Sequence, residues 1–141
     1  METDQKNKIQ VETMVNAPVE KVWNYWTSPQ HIMKWNNASD DWHTPSVEND
    51  FKVGGKFLAR MEARDGSMGF DFWGIYDQII EHELIEYTLG DNRKVTINFS
   101  GNGNQTQVIE TFEAEKDNSE EMQKGGWQSI LDNFKAYVEA N

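Results

Sequence analysis

The sequence predicts an α+β domain in which a curved antiparallel sheet wraps around a long C-terminal α-helix, with two short helices after the first strand. Three observations support this class: a β–α–α order near the N-terminus, a meander of segments with alternating apolar residues, and a long amphipathic segment at the C-terminus. A long amphipathic helix that follows an antiparallel sheet must bury its apolar stripe on one face of that sheet. The natural twist of strands lets such a sheet curve around the helix.

The composition predicts one domain over residues 1–141, with an ordered core at about 8–139. A chain of 141 residues lies in the single-domain range. Its hydrophobic fraction is only 37% and its mean hydropathy is −0.80, yet it contains 6 Trp, 7 Phe and 4 Tyr. Disordered chains are poor in aromatic residues. The aromatic side chains therefore indicate a folded protein whose aromatic walls either close a solid core or line a cavity.

The charge and the residue types exclude several classes of protein. A net charge of −11 repels nucleic acids and anionic membranes, and no basic run reverses it locally. There is no Cys, which excludes disulfides and thiolate chemistry. The polar N-terminal residues do not resemble a signal peptide, and no apolar run reaches the ~20 residues that span a bilayer. We expect a cytoplasmic protein without membrane insertion.

The N-terminal elements follow from local patterns. Alternation from Lys8 to Val15 predicts a strand, and Asn16-Ala17-Pro18 predicts a helix start with a capping side chain and an early proline. Ser28-Pro29 predicts the start of a second helix. The first helix carries an apolar stripe at helical spacing, namely Val19, Val22, Trp23 and Trp26.

The central part predicts a meander of strands. Residues 42–49 are expected to form an edge strand. Residues 57–64 alternate as in a half-buried strand, with Phe57, Ala59, Met61 and Ala63 on one face. Asp65-Gly66 is a strong hairpin signal, because both central positions of a type I′ turn need positive φ. Further strands are expected to include Phe70 to Tyr76, Leu84 to Leu89, Val95 to Phe99, and Thr106 to Phe112.

The last element is predicted as a long helix. Asn118 and Glu121 fit a capping box, and apolar residues then recur at helical spacing from Trp127 to Val138. Gly125-Gly126 inside this helix should cost roughly 1 kcal/mol per residue relative to Ala. Close approach of the sheet or a kink would explain that cost, and a helix that begins only at Gly126 is the alternative.

The element order resembles the helix-grip (START-like, SRPBCC) superfamily, and in particular the branch named after the C-terminal domain of the Hsp90 ATPase activator. The resemblance extends over about residues 9–139. Four pieces carry it, and these are residues 16–23 with Trp26, Val53-Gly54-Gly55-Lys56-Phe57, Gly74-Ile75-Tyr76, and Gly126-Trp127 leading into Leu131 and Phe134. It implies an internal cavity between the sheet and the long helix. Members of the superfamily include lipid carriers, aromatic cyclases and co-chaperone modules, so the resemblance does not define one function.

A set of residues is predicted to surround a ligand in this cavity. Apolar and aromatic side chains on the helix-facing parity of the strands would supply the walls, and Tyr, Trp or a buried carboxyl would supply the polar groups. For any one of the apolar residues, ordinary core packing is the alternative. The predicted set is Trp35, Phe57, Met61, Phe70, Phe72, Tyr76, Tyr87, Glu110, Trp127, Leu131 and Phe134.

Candidates for catalysis are fewer. Glu110 shares parity with apolar neighbours, so it is expected to point inward, where burial raises the pKa of a carboxyl. His43, in an acidic segment, could act as a base, although a solvated loop is the alternative, and Arg60 is expected at the surface. The three His residues lack metal-binding spacing, and no nucleophile motif is present. We expect no cofactor, no metal and no designated catalytic residue.

The favoured function is noncatalytic binding of a small apolar or aromatic ligand in the cavity. A second hypothesis is an Hsp90-activator-like interaction module with a chaperone as its partner. A third is a polyketide-cyclase-like enzyme that uses Glu110 or His43.

Overall fold

The computed structural model describes residues 7–141. Residues 1–6, which contain most of the polar N-terminal segment, lie outside the described residues. The helices are α1 (Val19–Thr27), α2 (Pro29–Trp35) and α3 (Glu120–Ala140). The strands are β1 (Lys8–Val15), β2 (Trp42–Asn49), β3 (Lys56–Ala63), β4 (Gly69–Ile80), β5 (Leu84–Leu89), β6 (Lys94–Asn102) and β7 (Gln105–Glu113). This order confirms the predicted α+β helix-grip fold.

The described strands form one antiparallel sheet in the order β1-β7-β6-β5-β4-β3-β2. Strand β2 lies at one edge of it, as predicted. Pro45 lies in β2, where the pairing with β3 is interrupted between His43 and Ser46. A proline cannot donate to a strand ladder, so it is tolerated at an edge or a bulge.

Helix α1 packs against the end of β6. A Cβ at Gly101 of β6 would lie 2.8 Å from the Val19 Cβ, so only glycine permits this close approach. The predicted capping by Asn16 is wrong. Pro18 occupies the N-cap position without a side-chain hydrogen bond, while the Asn16 side chain accepts a hydrogen bond from Gln105 instead.

Helix α3 runs through both glycines, so the alternative start at Gly126 is wrong. Its N-cap is Ser119, whose Oγ accepts a hydrogen bond from the Met122 N–H at 3.1 Å, and not the predicted Asn118. A Cβ at Gly125 or Gly126 would meet no atom within 4 Å. The predicted close approach of the sheet is therefore wrong, and the two glycines weaken the first half of α3 without a packing reason.

Replacing Gly125 and Gly126 with alanine is expected to stabilise the protein by roughly 1 kcal/mol per site, because Ala lowers the entropy of the unfolded chain and fits the open space. Urea unfolding of each variant measures the change. The matched control is Gly101→Ala, which must lose stability because its new methyl group clashes with Val19. Loss of stability at Gly125 or Gly126 would contradict the open environment.

The core lies between the sheet and helices α1, α2 and α3. Its fully buried residues come from the strands and from the helices. They include Val11, Val22, Ile97, Leu131 and Phe134. Within residues 7–141, no helix has the length and apolarity that crossing a membrane requires.

Candidate functional site

A cavity of about 230 Å³ lies between the sheet and the helices. Strands β2 to β5 and β7 supply its sheet wall, while α1, α2 and the middle of α3 supply the opposite wall. The lining residues are mainly aromatic and aliphatic. They are Trp26, Ile32, Trp35, Asn36, Val47, Asn49, Phe57, Ala59, Met61, Phe70, Phe72, Tyr76, Ile85, Tyr87, Glu110, Trp127 and Ile130.

Nearly all of the predicted ligand-site residues lie on this wall. The exceptions are Leu131 and Phe134, which are fully buried and do not line the cavity. They lie on the same stripe of α3 as Trp127, but their side chains fill the core behind the wall. The ring centroids of Trp26 and Trp35 each lie 4.8 Å from that of Phe134, which supports these two lining residues from behind.

Aromatic contacts hold the cavity wall in shape. Trp127 stacks on Phe112 with ring centroids 3.9 Å apart and planes 12° from parallel. The same indole meets Phe72 edge to face at 6.2 Å. On the sheet, Phe57 meets Tyr87 edge to face at 4.7 Å. Such edge-to-face and offset pairs are favourable beyond their buried area, so the wall is preorganised.

The cavity reaches the surface at Phe70. This lining residue is 48% exposed, whereas Met61, its cross-strand partner, is 8% exposed. The ring of Trp42, on the edge strand, lies 5.9 Å from that of Phe70. Phe70 therefore lies where the lining meets solvent, and Trp42 packs beside it from outside the lining.

Two of the predicted polar groups already have protein partners. The Tyr76 hydroxyl donates to Asn49 Oδ1 at 2.7 Å, and burial raises the pKa of Tyr76. The Trp35 indole N–H donates to the Tyr25 carbonyl oxygen at 3.0 Å. Both side chains therefore present mainly their apolar surfaces to the cavity.

Glu110 is the acidic residue of the cavity lining. It is 6% exposed, as the parity of β7 predicts, and burial raises the pKa of its carboxyl from 4.5 to about 8. No side chain in the described part of the protein hydrogen-bonds to it. The carboxyl is therefore mostly protonated at neutral pH.

Tyr87 is a further lining residue with a strongly perturbed pKa, besides Tyr76 and Glu110. Its pKa is raised well above 10, first by burial and then by the nearby charge of Glu110. Its hydroxyl likewise has no hydrogen-bond partner among residues 7–141. The two groups share one apolar environment, and the ionisation of either is unfavourable.

The other polar candidates lie outside the cavity. His43 Nε2 is 3.9 Å from Glu62 Oε1 on partly exposed β2 and β3. Arg60 pairs with Glu62 and Asp71 at the surface, as predicted, and not with Glu110. Residues 7–141 contain no cluster of three side chains suited to holding a metal ion.

Sequence reasoning missed several lining residues. Ile130 belongs to the predicted α3 stripe and Ala59 to the inward parity of β3, so both patterns could have identified them. Asn36 and Asn49 carry no such signal, because their places depend on how α2 and β2 fold over the sheet. The missed residues are Trp26, Ile32, Asn36, Val47, Asn49, Ala59, Ile85 and Ile130.

A curved sheet that surrounds a long helix and encloses an apolar cavity defines a helix-grip protein. The profile of the family described as "Activator of Hsp90 ATPase homolog 1-like protein" matches residues 16–139, and the chain belongs to that family. This confirms the branch that the sequence motifs indicate. No functionally curated protein matches the chain.

Several solved structures are similar over nearly the whole chain. An Activator of Hsp90 ATPase homolog 1-like protein from Aeromonas hydrophila is 42% identical with a TM-score of 0.89, covering 95% of this chain and 93% of the other. A protein from Cytophaga hutchinsonii is 54% identical with a TM-score of 0.82 and the same coverage. A protein from Chromobacterium violaceum is 25% identical with a TM-score of 0.85, covering 96% and 99%.

Proposed function

We propose that the protein binds one small, mainly apolar molecule in the cavity and performs no chemistry on it. The observation that carries this proposal is the wall itself: aromatic and aliphatic side chains surround an open space. At this wall the Glu110 carboxyl and the Tyr87 hydroxyl have no hydrogen-bond partner among residues 7–141. Ligand sites are typically concave and apolar with a few placed polar groups. Burial of the ligand's apolar surface supplies the affinity.

The cavity volume limits the size of the ligand. An engineered protein cavity of about 150 Å³ accommodates benzene, so a space of about 230 Å³ suits a molecule of one or two rings. A sterol or a long acyl chain would have to extend through the mouth beside Phe70. We therefore expect small aromatic compounds to bind better than membrane lipids.

A thermal-shift screen of aromatic compounds, flavonoids, sterols and lipids tests the proposal. A compound at 100 times its Kd stabilises the fold by about 2.7 kcal/mol if the unfolded chain does not bind it. For a domain of this size we expect a rise in Tm of roughly 5–10 °C, confined to small aromatic compounds. Absence of any shift across the library would overturn the proposal.

Filling the cavity is expected to abolish the ligand-induced shift. Ala59 lines the cavity and is 3% exposed, so Ala59→Leu places a larger side chain in the ligand's space. Ala63→Leu makes the same change on the same strand and parity, at a position outside the lining. We expect the shift to disappear only in Ala59→Leu. Equal shifts in both variants would place the ligand elsewhere.

The family description favours a second function, in which the chain interacts with the chaperone Hsp90. This function uses the protein surface, so it predicts binding to purified Hsp90 that Ala59→Leu does not change. Titration calorimetry measures this binding.

An enzyme of the cyclase type is the third candidate, supported by the protonated Glu110 as an acid inside the cavity. Turnover of a screening hit that is lost in Glu110→Gln would support it.

A further inference from the structure

The Glu110 carboxyl lies at the cavity wall, and none of the residues 7–141 forms a hydrogen bond with it. Across the sheet it pairs with Val11 of β1 and Ile97 of β6, both apolar. Within residues 7–141, every side-chain nitrogen or oxygen atom that has no solvent-accessible surface has a hydrogen-bond partner. Because Glu110 has none, its oxygens must border the open space of the cavity. A group that is 94% removed from solvent yet unpaired is costly for the protein, and a bound ligand can satisfy it.

The protonation state of this carboxyl indicates what it recognises. Burial keeps the proton on Glu110 at neutral pH, so the group presents one hydrogen-bond donor to the cavity. Among residues 7–141, no Lys, Arg or His lines the cavity. An anionic ligand would therefore meet no cation, and a hydrocarbon would leave the donor unpaired.

Building on the cavity-binding function, we propose that the ligand is an uncharged one- or two-ring molecule whose ring ketone accepts a hydrogen bond from the Glu110 carboxyl. The aromatic wall contacts the rings of the ligand, and the carboxyl determines which end enters first. An ammonium ligand is less favourable, because both it and the carboxyl would have to be charged in a site with little water.

Three indane compounds of nearly equal size test this inference: 1-indanone, indane and 1-aminoindane. They present an acceptor, no polar group and a cation, respectively. Titration calorimetry at pH 6.5 gives the Kd of each compound for the wild-type protein and for two variants. Glu110→Gln keeps a donor of the same size, and Glu110→Leu removes all polar atoms.

We expect the Kd of 1-indanone to stay within about threefold in Glu110→Gln and to rise about tenfold in Glu110→Leu, because only the latter loses the hydrogen bond. The Kd of indane should be unchanged or lower in Glu110→Leu. Comparing the change in Kd of 1-indanone with that of indane in Glu110→Leu distinguishes loss of the hydrogen bond from a change in packing. Both variants are expected to fold, since each removes a buried ionisable group.

Two outcomes would overturn the inference alone. One is an equal response of indane and 1-indanone to Glu110→Leu, which would mean that the carboxyl makes no bond to the ligand. The other is tighter binding of 1-aminoindane than of 1-indanone that is lost in Glu110→Gln, which would make Glu110 a counter-ion. If no indane compound binds and the wider screen has no hit, the cavity-binding function itself is wrong.

Discussion

Replacing Glu110 with glutamine is expected to raise the free energy of unfolding at pH 8 by roughly 3–5 kcal/mol relative to wild type. Near pH 4.5 the free energies of unfolding of the two proteins should differ by no more than about 1 kcal/mol. The folded protein holds the Glu110 proton up to about pH 8, whereas the unfolded chain releases it near 4.5. Between these values the unfolded state binds fewer protons. The contribution of Glu110 to the free energy of unfolding of the wild-type protein therefore falls by about 1.4 kcal/mol per pH unit between pH 4.5 and about 8. Above that range the contribution is constant.

Urea unfolding of both proteins from pH 4.5 to 9 measures this difference. Glu48→Gln is the control, because Glu48 is an exposed glutamate on the edge strand β2. A direct measurement is the ¹³C chemical shift of the Glu110 side-chain carboxyl, which should titrate near pH 8. Parallel stability profiles for wild type and Glu110→Gln would show that the carboxyl is solvated in the folded protein.

Truncating Phe134 to alanine is expected to destabilise the protein by about 3–5 kcal/mol. The ring is fully buried and makes edge-to-face contacts with Trp26 and Trp35. Its loss removes apolar burial and leaves a void directly behind the cavity wall. Natural domains have only about 5–15 kcal/mol of stability in total, so this single change removes a large part of it.

The midpoint of urea unfolding measures the loss, with Phe70→Ala as the matched control. Phe70 is 48% exposed at the cavity mouth, so its truncation should cost no more than about 1 kcal/mol. If Phe134→Ala does not fold, Phe134→Leu should fold with an intermediate loss. A similar loss of stability in Phe70→Ala and Phe134→Ala would contradict the assignment of Phe70 to the cavity mouth and Phe134 to the core.

Periodicity was sufficient to predict most of the fold. The bounds of β1 and β5 agree with the alternating segments, because a sheet with one buried face requires every second residue to be apolar. The edge position of β2 was likewise predicted. The N-terminal caps were not. In α3 the adjacent polar residues Asn118 and Ser119 could both have filled the role. In α1 the Asn16 side chain is bound to the distant Gln105, which local sequence does not indicate.

The cavity was harder to predict than the fold. Strand parity correctly placed Phe57, Phe72 and Glu110 on the inner face, since side chains alternate along a strand. Helical periodicity could not separate Trp127 from Leu131. Both lie on the apolar stripe of α3, and only the curvature of the sheet leaves space beside one and none beside the other.

Local periodicity and motif order were therefore enough to predict the class of fold, the family and the inward faces of strands such as β3, β4 and β7. Which of the inward-facing residues border an open space could be seen only once the chain was folded. That property depends on how far the sheet and α3 separate and on the rings that fill the gap. The same separation leaves Glu110 at the cavity wall with no hydrogen-bond partner among residues 7–141. The feature that most narrows the choice of ligand therefore arises from packing between distant segments.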